Sequence, residues 1–210
     1  IGVNLVKHSE PIVLIGIPEK RILDAVNKLI GTDMAPVVSG AAKAPQVDIV
    51  SGATVTVLVL ASRQPDEFRI ERSVTVNAPA EKIVPHIADF HQWSAWSPWE
   101  HLDPAMQRSF TGAPAGKGSI YEWSGNSDVG QGRMEILDVA PDKISIKLDF
   151  YKPMEASNIA EFALQPKGDA TDVTWSMYGP MPFISKVMCV FFDMDKMVGP
   201  DFERGLAGLK

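Results

Sequence analysis

At 210 residues, 45% of them hydrophobic, the chain is too apolar for a disordered segment and long enough for one sizeable domain or two small ones. Its formal charge of −6 comes from acidic and basic residues scattered along the chain, with no Lys/Arg run able to neutralise phosphates, which excludes nucleic acid as a partner. The single cysteine, Cys189, excludes an intrachain disulfide and, set in the apolar run KVMCVFF, reads as a buried thiol.

IGVNLVKHSEPIVLIG reads as two short strands around a His-Ser-Glu-Pro turn, without an initiator Met, so a preceding segment is expected. In PEKRILDAVNKLIG, Ile22, Leu23, Val26 and Leu29 fall at helical spacing between Pro18 and Gly31. A polar loop over 32–46 leads into DIVSGAT, Asp48 to Thr54, and then into the apolar run Val55 to Ala61. That run is far shorter than the ~20 residues of a membrane-spanning helix. The composition divides the chain into a first unit at 1–60, a hinge-like linker at 61–67 and an α+β domain at 68–210.

In the second unit FRIERSVTVNAP alternates as a strand stopping at Pro79. AEKIVPHIADFHQW follows as a helix with Ile83, Ile87 and Phe90 along one face and Pro85 near its first turn. Strand-like segments then come at the spacing of an antiparallel meander: MQRSFTG, GSIYEWSG, GRMEILDVAP, KISIKLDFYKP, NIAEFALQP and TDVTWSMYG. The end, from Phe183 on, reads as one long helix with Phe183, Val187, Phe191, Met194 and Val198 on one face and a kink or restart at Gly199-Pro200. This order wraps a curved sheet around a helix, and the space between them is a natural ligand cavity.

The stretches ERSVTVNAPAEKI, IADFHQWSAWSPWEHLDPAM, GSIYEWSGN with GQGRMEI, and FFDMDKMVGPDFERGLAGLK resemble the SRPBCC superfamily, also called START-like or birch-allergen-like. Within it they are most similar to the bacterial polyketide cyclase/dehydrase-type proteins. The resemblance covers about 68–210 and implies an α+β helix-grip fold around an apolar pocket. Cyclases, lipid carriers and hormone receptors all share that fold, so the resemblance implies a small hydrophobic molecule as partner without naming it.

Read without the family, Trp93, Trp96, Trp99, Tyr121, Trp123 and Trp175 form an aromatic-rich set suited to a flat or oily ligand, or to filling a core. The pocket is expected between the sheet and the helix from Phe183 to Val198. Its lining is drawn from Trp96, Trp99, Tyr121, Trp123, Phe150, Phe162, Trp175, Met177 and Met188, around at least roughly 300 Å³; a space filled solid by side chains, with no cavity of that size, counts against ligand binding. His86, His91 and His101, with Glu100 and Asp103 close by, show no HxxxH or HxH spacing, so no metal site is expected. No catalytic residue is assigned. A general acid or base is available from His91, Glu122 or Asp149 where one points into the pocket, although strand alternation sends Asp149 to the face of Lys147 and towards solvent. Enzyme activity is left open.

In the first unit Asp48, Ser51, Gly52, Ala53 and Thr54 match the D-x-x-S/T-G-A-T signature at which bacterial flavin transferases attach FMN to threonine. The flanking KHSEPIVLIGIPEKRILDAV resembles the FMN-binding domain of NosR-type regulators, found also in the C subunit of sodium-pumping NADH:quinone oxidoreductase and in the Rnf G subunit. The resemblance covers about 1–57. It implies covalent FMN on Thr54, a flavin transferase as partner, and an alternative function as an envelope electron-transfer protein on the periplasmic side. Otherwise the chain is expected to be cytoplasmic or membrane-anchored, with membrane association only through an upstream anchor. VTVLVLASRQPDEF resembles the tail of such an anchoring helix, yet the same residues would also continue a strand after SGAT. Two origins stay open: a natural fusion, or a chimeric chain whose first part is non-functional. Co-expression with a flavin transferase is expected to add one FMN mass to the wild type and none to Thr54→Ala, read by denaturing mass spectrometry. Labelling that persists in Thr54→Ala would place the motif elsewhere.

Overall fold

The computed structural model describes residues 56–210, so Asp48, Ser51, Gly52, Ala53 and Thr54 lie outside the described residues. Residues 56–62 are helical, which decides against a continued strand at this point. Leu58, Val59 and Leu60 face outward and Ala61 is buried. No helix among the described residues is long and apolar enough to cross a membrane.

Period-2 patterning produces strands at all the expected places: β1 (Glu67–Val76), β2 (Gln107–Gly112), β3 (Ser119–Ser124), β4 (Gln131–Ala140), β5 (Lys143–Lys152), β6 (Ala156–Lys167) and β7 (Ala170–Pro180). They form one antiparallel seven-stranded sheet in the order β1-β7-β6-β5-β4-β3-β2. Strands β2 to β7 pair with their neighbours in sequence, and only β1 crosses over to pair with β7, with Ile70 opposite Met177 and Val74 opposite Val173. Alternate residues of the last strands point inward and are buried: Ile144 and Ile146, then Phe162 and Leu164, then Val173, Trp175 and Met177.

Two helical regions depart from the sequence-based expectation. The helix after β1, α1 (Ala80–Ala88), carries Pro85 in its interior rather than near its first turn. It stops at Asp89, whose extended backbone (φ −120°) and side-chain acceptance of the His91 N–H start a 3₁₀ turn over Phe90–Ala95. A second 3₁₀ turn, Pro98–His101, follows. At the other end, the single long helix is two: α2 (Phe183–Phe191) and α3 (Met194–Gly208). The break falls at Asp193, extended and accepting from the Lys196 N–H, while Gly199-Pro200 sits inside α3. Gly199 leaves room for the Arg72 guanidinium, which a Cβ there would force to shift. Arg72, on β1, binds Asp195 at 2.7 Å and Glu203 at 2.9 Å and so fastens α3 to the edge of the sheet.

It is therefore α3, not α2, that the sheet grips. Val198, Phe202 and Leu206 are buried against it, whereas α2 buries no residue and leaves Phe183 and Ile184 more than half exposed. Cys189, on α2, is accordingly half-buried rather than the core thiol read from its apolar run; partial burial and nearby Asp193 raise its pKa.

The main buried cluster runs from Ile70 to Leu206. Asp66 closes it, accepting the Met181 N–H at its carbonyl and pairing with Lys186. A chain beginning at Asp66 is therefore expected to unfold cooperatively, with a melting temperature close to that of the full chain by circular dichroism. Loss of cooperative unfolding would make residues 1–65 part of the same core.

Candidate functional site

Between the inner face of β3 to β7, the 3₁₀ turns and α3 lies a cavity of about 100 Å³. Trp99, Tyr121, Trp123, Phe150, Trp175 and Met177 line it. Each is placed by a local cause. The Pro98 turn carries Trp99, which meets Trp175 edge-on at 5.6 Å. Trp123 donates its indole N–H to the Val129 carbonyl at 2.9 Å and lies over Gly132 of the paired strand, where a Cβ would meet its ring at 2.5 Å. Trp175 is sandwiched between Phe162 at 4.9 Å and Phe202 of α3 at 4.3 Å.

Three of the expected lining residues stand elsewhere. Trp96 is a core residue whose indole donates to the His86 carbonyl at 3.0 Å. Phe162 is fully buried behind Trp175. Met188 lies on α2, away from the cavity. The space is also smaller than the roughly 300 Å³ expected of a ligand pocket, because Trp96 and Phe162 pack with Trp93 at its inner end, at 4.7 and 6.3 Å from the Trp93 ring. Sequence reasoning passed over Met134, Leu148 and Ala160, although the inward alternation that flags Phe150 flags them equally.

The principal polar feature of the wall is Glu100. The Pro98–His101 turn buries its side chain, which is 7% exposed. One carboxylate oxygen accepts from Arg108 Nε at 2.8 Å and the other from the Tyr121 hydroxyl at 2.7 Å. Arg108 also donates to the carbonyls of Glu100 and Met106, at 2.7 and 3.0 Å. Burial and the Glu100 carboxylate push the Tyr121 pKa well above the ordinary phenol range, so its hydroxyl stays protonated and committed to Glu100. With each oxygen accepting one of these bonds, Glu100 orients Tyr121 and holds Arg108.

The three acids and bases singled out in the sequence, His91, Glu122 and Asp149, are outside the cavity, whereas Asp128, half-buried, lines it. His91 is half-exposed, paired with Asp89 at 2.9 Å and stacked on Phe110 at 4.2 Å. Glu122 is exposed on β3. Asp149 bonds Lys147 at 2.9 Å and Ser157 at 2.6 Å on the outer face; partial burial raises its pKa, but these two donors outweigh it and the net shift is downward. Among the described residues no three His, Cys, Asp or Glu side chains gather as a metal site.

A seven-stranded antiparallel sheet closed by a C-terminal helix over an apolar cavity defines the helix-grip class. Residues 67–210 match the family described as polyketide cyclase/dehydrase and lipid transport, and the chain belongs to that family. The match includes none of the flavin-attachment residues. Among solved structures the chain is similar to protein CV1439 from Chromobacterium violaceum, at 15% identity over 70% of this chain and 95% of that one, with a TM-score of 0.47. It is also similar to protein MLL2253 from Mesorhizobium loti, at 19% identity over 68% and 96%, with a TM-score of 0.48. No curated protein matches the chain.

Removing one partner from the Glu100 cluster leaves a buried charge unpaired. Arg108→Met is expected to lower unfolding stability by about 3 kcal/mol, and adding Glu100→Leu together with Tyr121→Phe, which leaves no buried hydroxyl without an acceptor, to recover most of that loss. Denaturant titration of the two variants reads both effects; an Arg108→Met protein as stable as wild type would show that the pair contributes nothing.

Proposed function

We propose that the domain binds a small apolar or aromatic molecule in the cavity between the sheet and α3, as a carrier or a cyclase-like protein. The observation that carries this reading is the chemistry of the wall: aromatic rings and methionines make most of it, and its polar side chains are few, namely Ser97, Asp128 and Glu100, the last bonded to Arg108 and Tyr121. Water gains few hydrogen bonds in such a place, whereas an apolar ligand replaces none that matter; an engineered apolar cavity of about 150 Å³ stays dry and takes benzene. At about 100 Å³ the space suits a single ring or the end of a chain. The family description, which joins polyketide cyclases with lipid transport, supports a hydrophobic ligand. A cyclase-like role would rest on holding a flexible chain in a folded shape, since confinement requires no free acid or base.

Covalent FMN on Thr54, with a flavin transferase as partner and a place in the cell envelope, is a separate proposal that rests on DIVSGAT and the flanking KHSEPIVLIGIPEKRILDAV.

Ala160 lines the cavity from the inward row of β6 and is 3% exposed, so a larger side chain there projects into the space. Wild-type chain is expected to bind toluene saturably, followed by tryptophan fluorescence. Ala160→Phe is expected to abolish that binding while keeping the far-ultraviolet circular dichroism of the wild type. Equal toluene binding by both proteins would contradict the reading.

A further inference from the structure

A second cavity, of about 50 Å³, lies at the end of the sheet where the β3–β4 and β5–β6 turns meet the chain leading into α2. Val129 and Phe150 line both cavities, so these two side chains stand between them. Phe68, Met154, Met181 and Met194 make the second wall largely apolar, with Lys152 and Glu155 also contributing.

Asn158 is the exception on this wall. It occupies the inward row of β6 with Ala160, Phe162 and Leu164, is 3% exposed, and its Nδ2 has no hydrogen-bond partner. Gly179 of the neighbouring region of β7 makes room for it, since a Cβ there would collide with the Asn158 amide. An amide donor buried without a partner costs about 1–3 kcal/mol, which an apolar side chain in the same row would avoid. Among the described residues the other buried side-chain atom in this state is Trp175 Nε1, on the wall of the first cavity. Both orphaned donors thus belong to cavity walls. Asn158 lies two residues along β6 from Ala160 of the first cavity, about 7 Å in an extended strand.

We propose that the ligand is elongated and carries a carbonyl oxygen that accepts from Asn158 Nδ2, its apolar body lying past Val129 and Phe150 in the aromatic chamber. This rests on the ligand-binding reading and adds to it the ligand's length and its oxygen. A ketone, ester or amide oxygen matches a neutral buried donor. A carboxylate would bring a charge to a wall whose lining cation, Lys152, is exposed.

Titration calorimetry of the full chain with para-butylacetophenone and its hydrocarbon match, para-butylethylbenzene, tests the proposal. The ketone is expected to bind wild type about three- to tenfold tighter, the gain of one neutral hydrogen bond. Asn158→Leu is expected to remove that preference, keep the hydrocarbon affinity, and melt no lower than wild type; Asn158→Ala, read the same way, covers a failure of the leucine variant to fold. Equal affinities of wild type for the two compounds would overturn the proposal. So would a ketone preference that survives in Asn158→Leu, and its disappearance in Trp175→Phe would then assign the oxygen to the indole. If neither compound binds wild type while toluene does, the elongated-ligand proposal is overturned and the ligand-binding reading stands; if toluene also fails to bind, both fall.

Discussion

The face-to-face contact of Phe202 on Trp175, at 4.3 Å and 7° between the planes, is the contact on which the remaining geometry depends. It brings α3 down onto β7, and Gly205 one turn later allows the approach: a Cβ there would stand 2.8 Å from the Trp175 ring. Such a pair adds about 0.5–1.5 kcal/mol beyond the area it buries. Its larger effect is geometric, because it fixes how far the helix stands from the sheet. The Arg72 bridges to Asp195 and Glu203 tie the first turn and the second half of the same helix to β1. What is left between helix and sheet, once Trp93, Trp96 and Phe162 have filled the inner end, is the cavity.

The walls of the two cavities carry, beside Ser97 and Asp128 in the first and Ser127, Lys152, Glu155 and Ser185 in the second, polar groups of two kinds. Glu100, Arg108 and Tyr121 satisfy one another, and their network holds the 3₁₀ turn of Trp99 against β2 and β3. Trp175 Nε1 and Asn158 Nδ2 are unsatisfied. A closed network rigidifies a wall, whereas an open donor in an apolar cavity waits for an acceptor.

Much of the fold was legible because strands announce themselves by a period of two, and the run Ile144, Ile146, Leu148, Phe150 needed no tertiary information to be placed on one face. The helix break was not legible. Gly199-Pro200 looked like a breaker by propensity, but Gly199 serves the distant Arg72, and the actual break came from the cap at Asp193. Among the tryptophans, three-residue spacing put Trp93, Trp96 and Trp99 in one set. Ser97 interrupts the 3₁₀ geometry, so Trp96 turns into the core and Trp99 to the cavity. The Glu100 cluster was hidden for the same reason as Arg72: its partners arrive from other strands. Asn158 carried a signal that went unread, a polar residue in the inward row of an otherwise apolar strand.

Xenon under pressure in a crystal of this protein tests the central claim most directly, since xenon enters apolar vacancies and ignores filled or hydrated ones. The account predicts an anomalous peak in contact with Trp123, Trp175 and Met177, between the sheet and α3. A space filled by those side chains, with no xenon peak between β7 and α3, would contradict it.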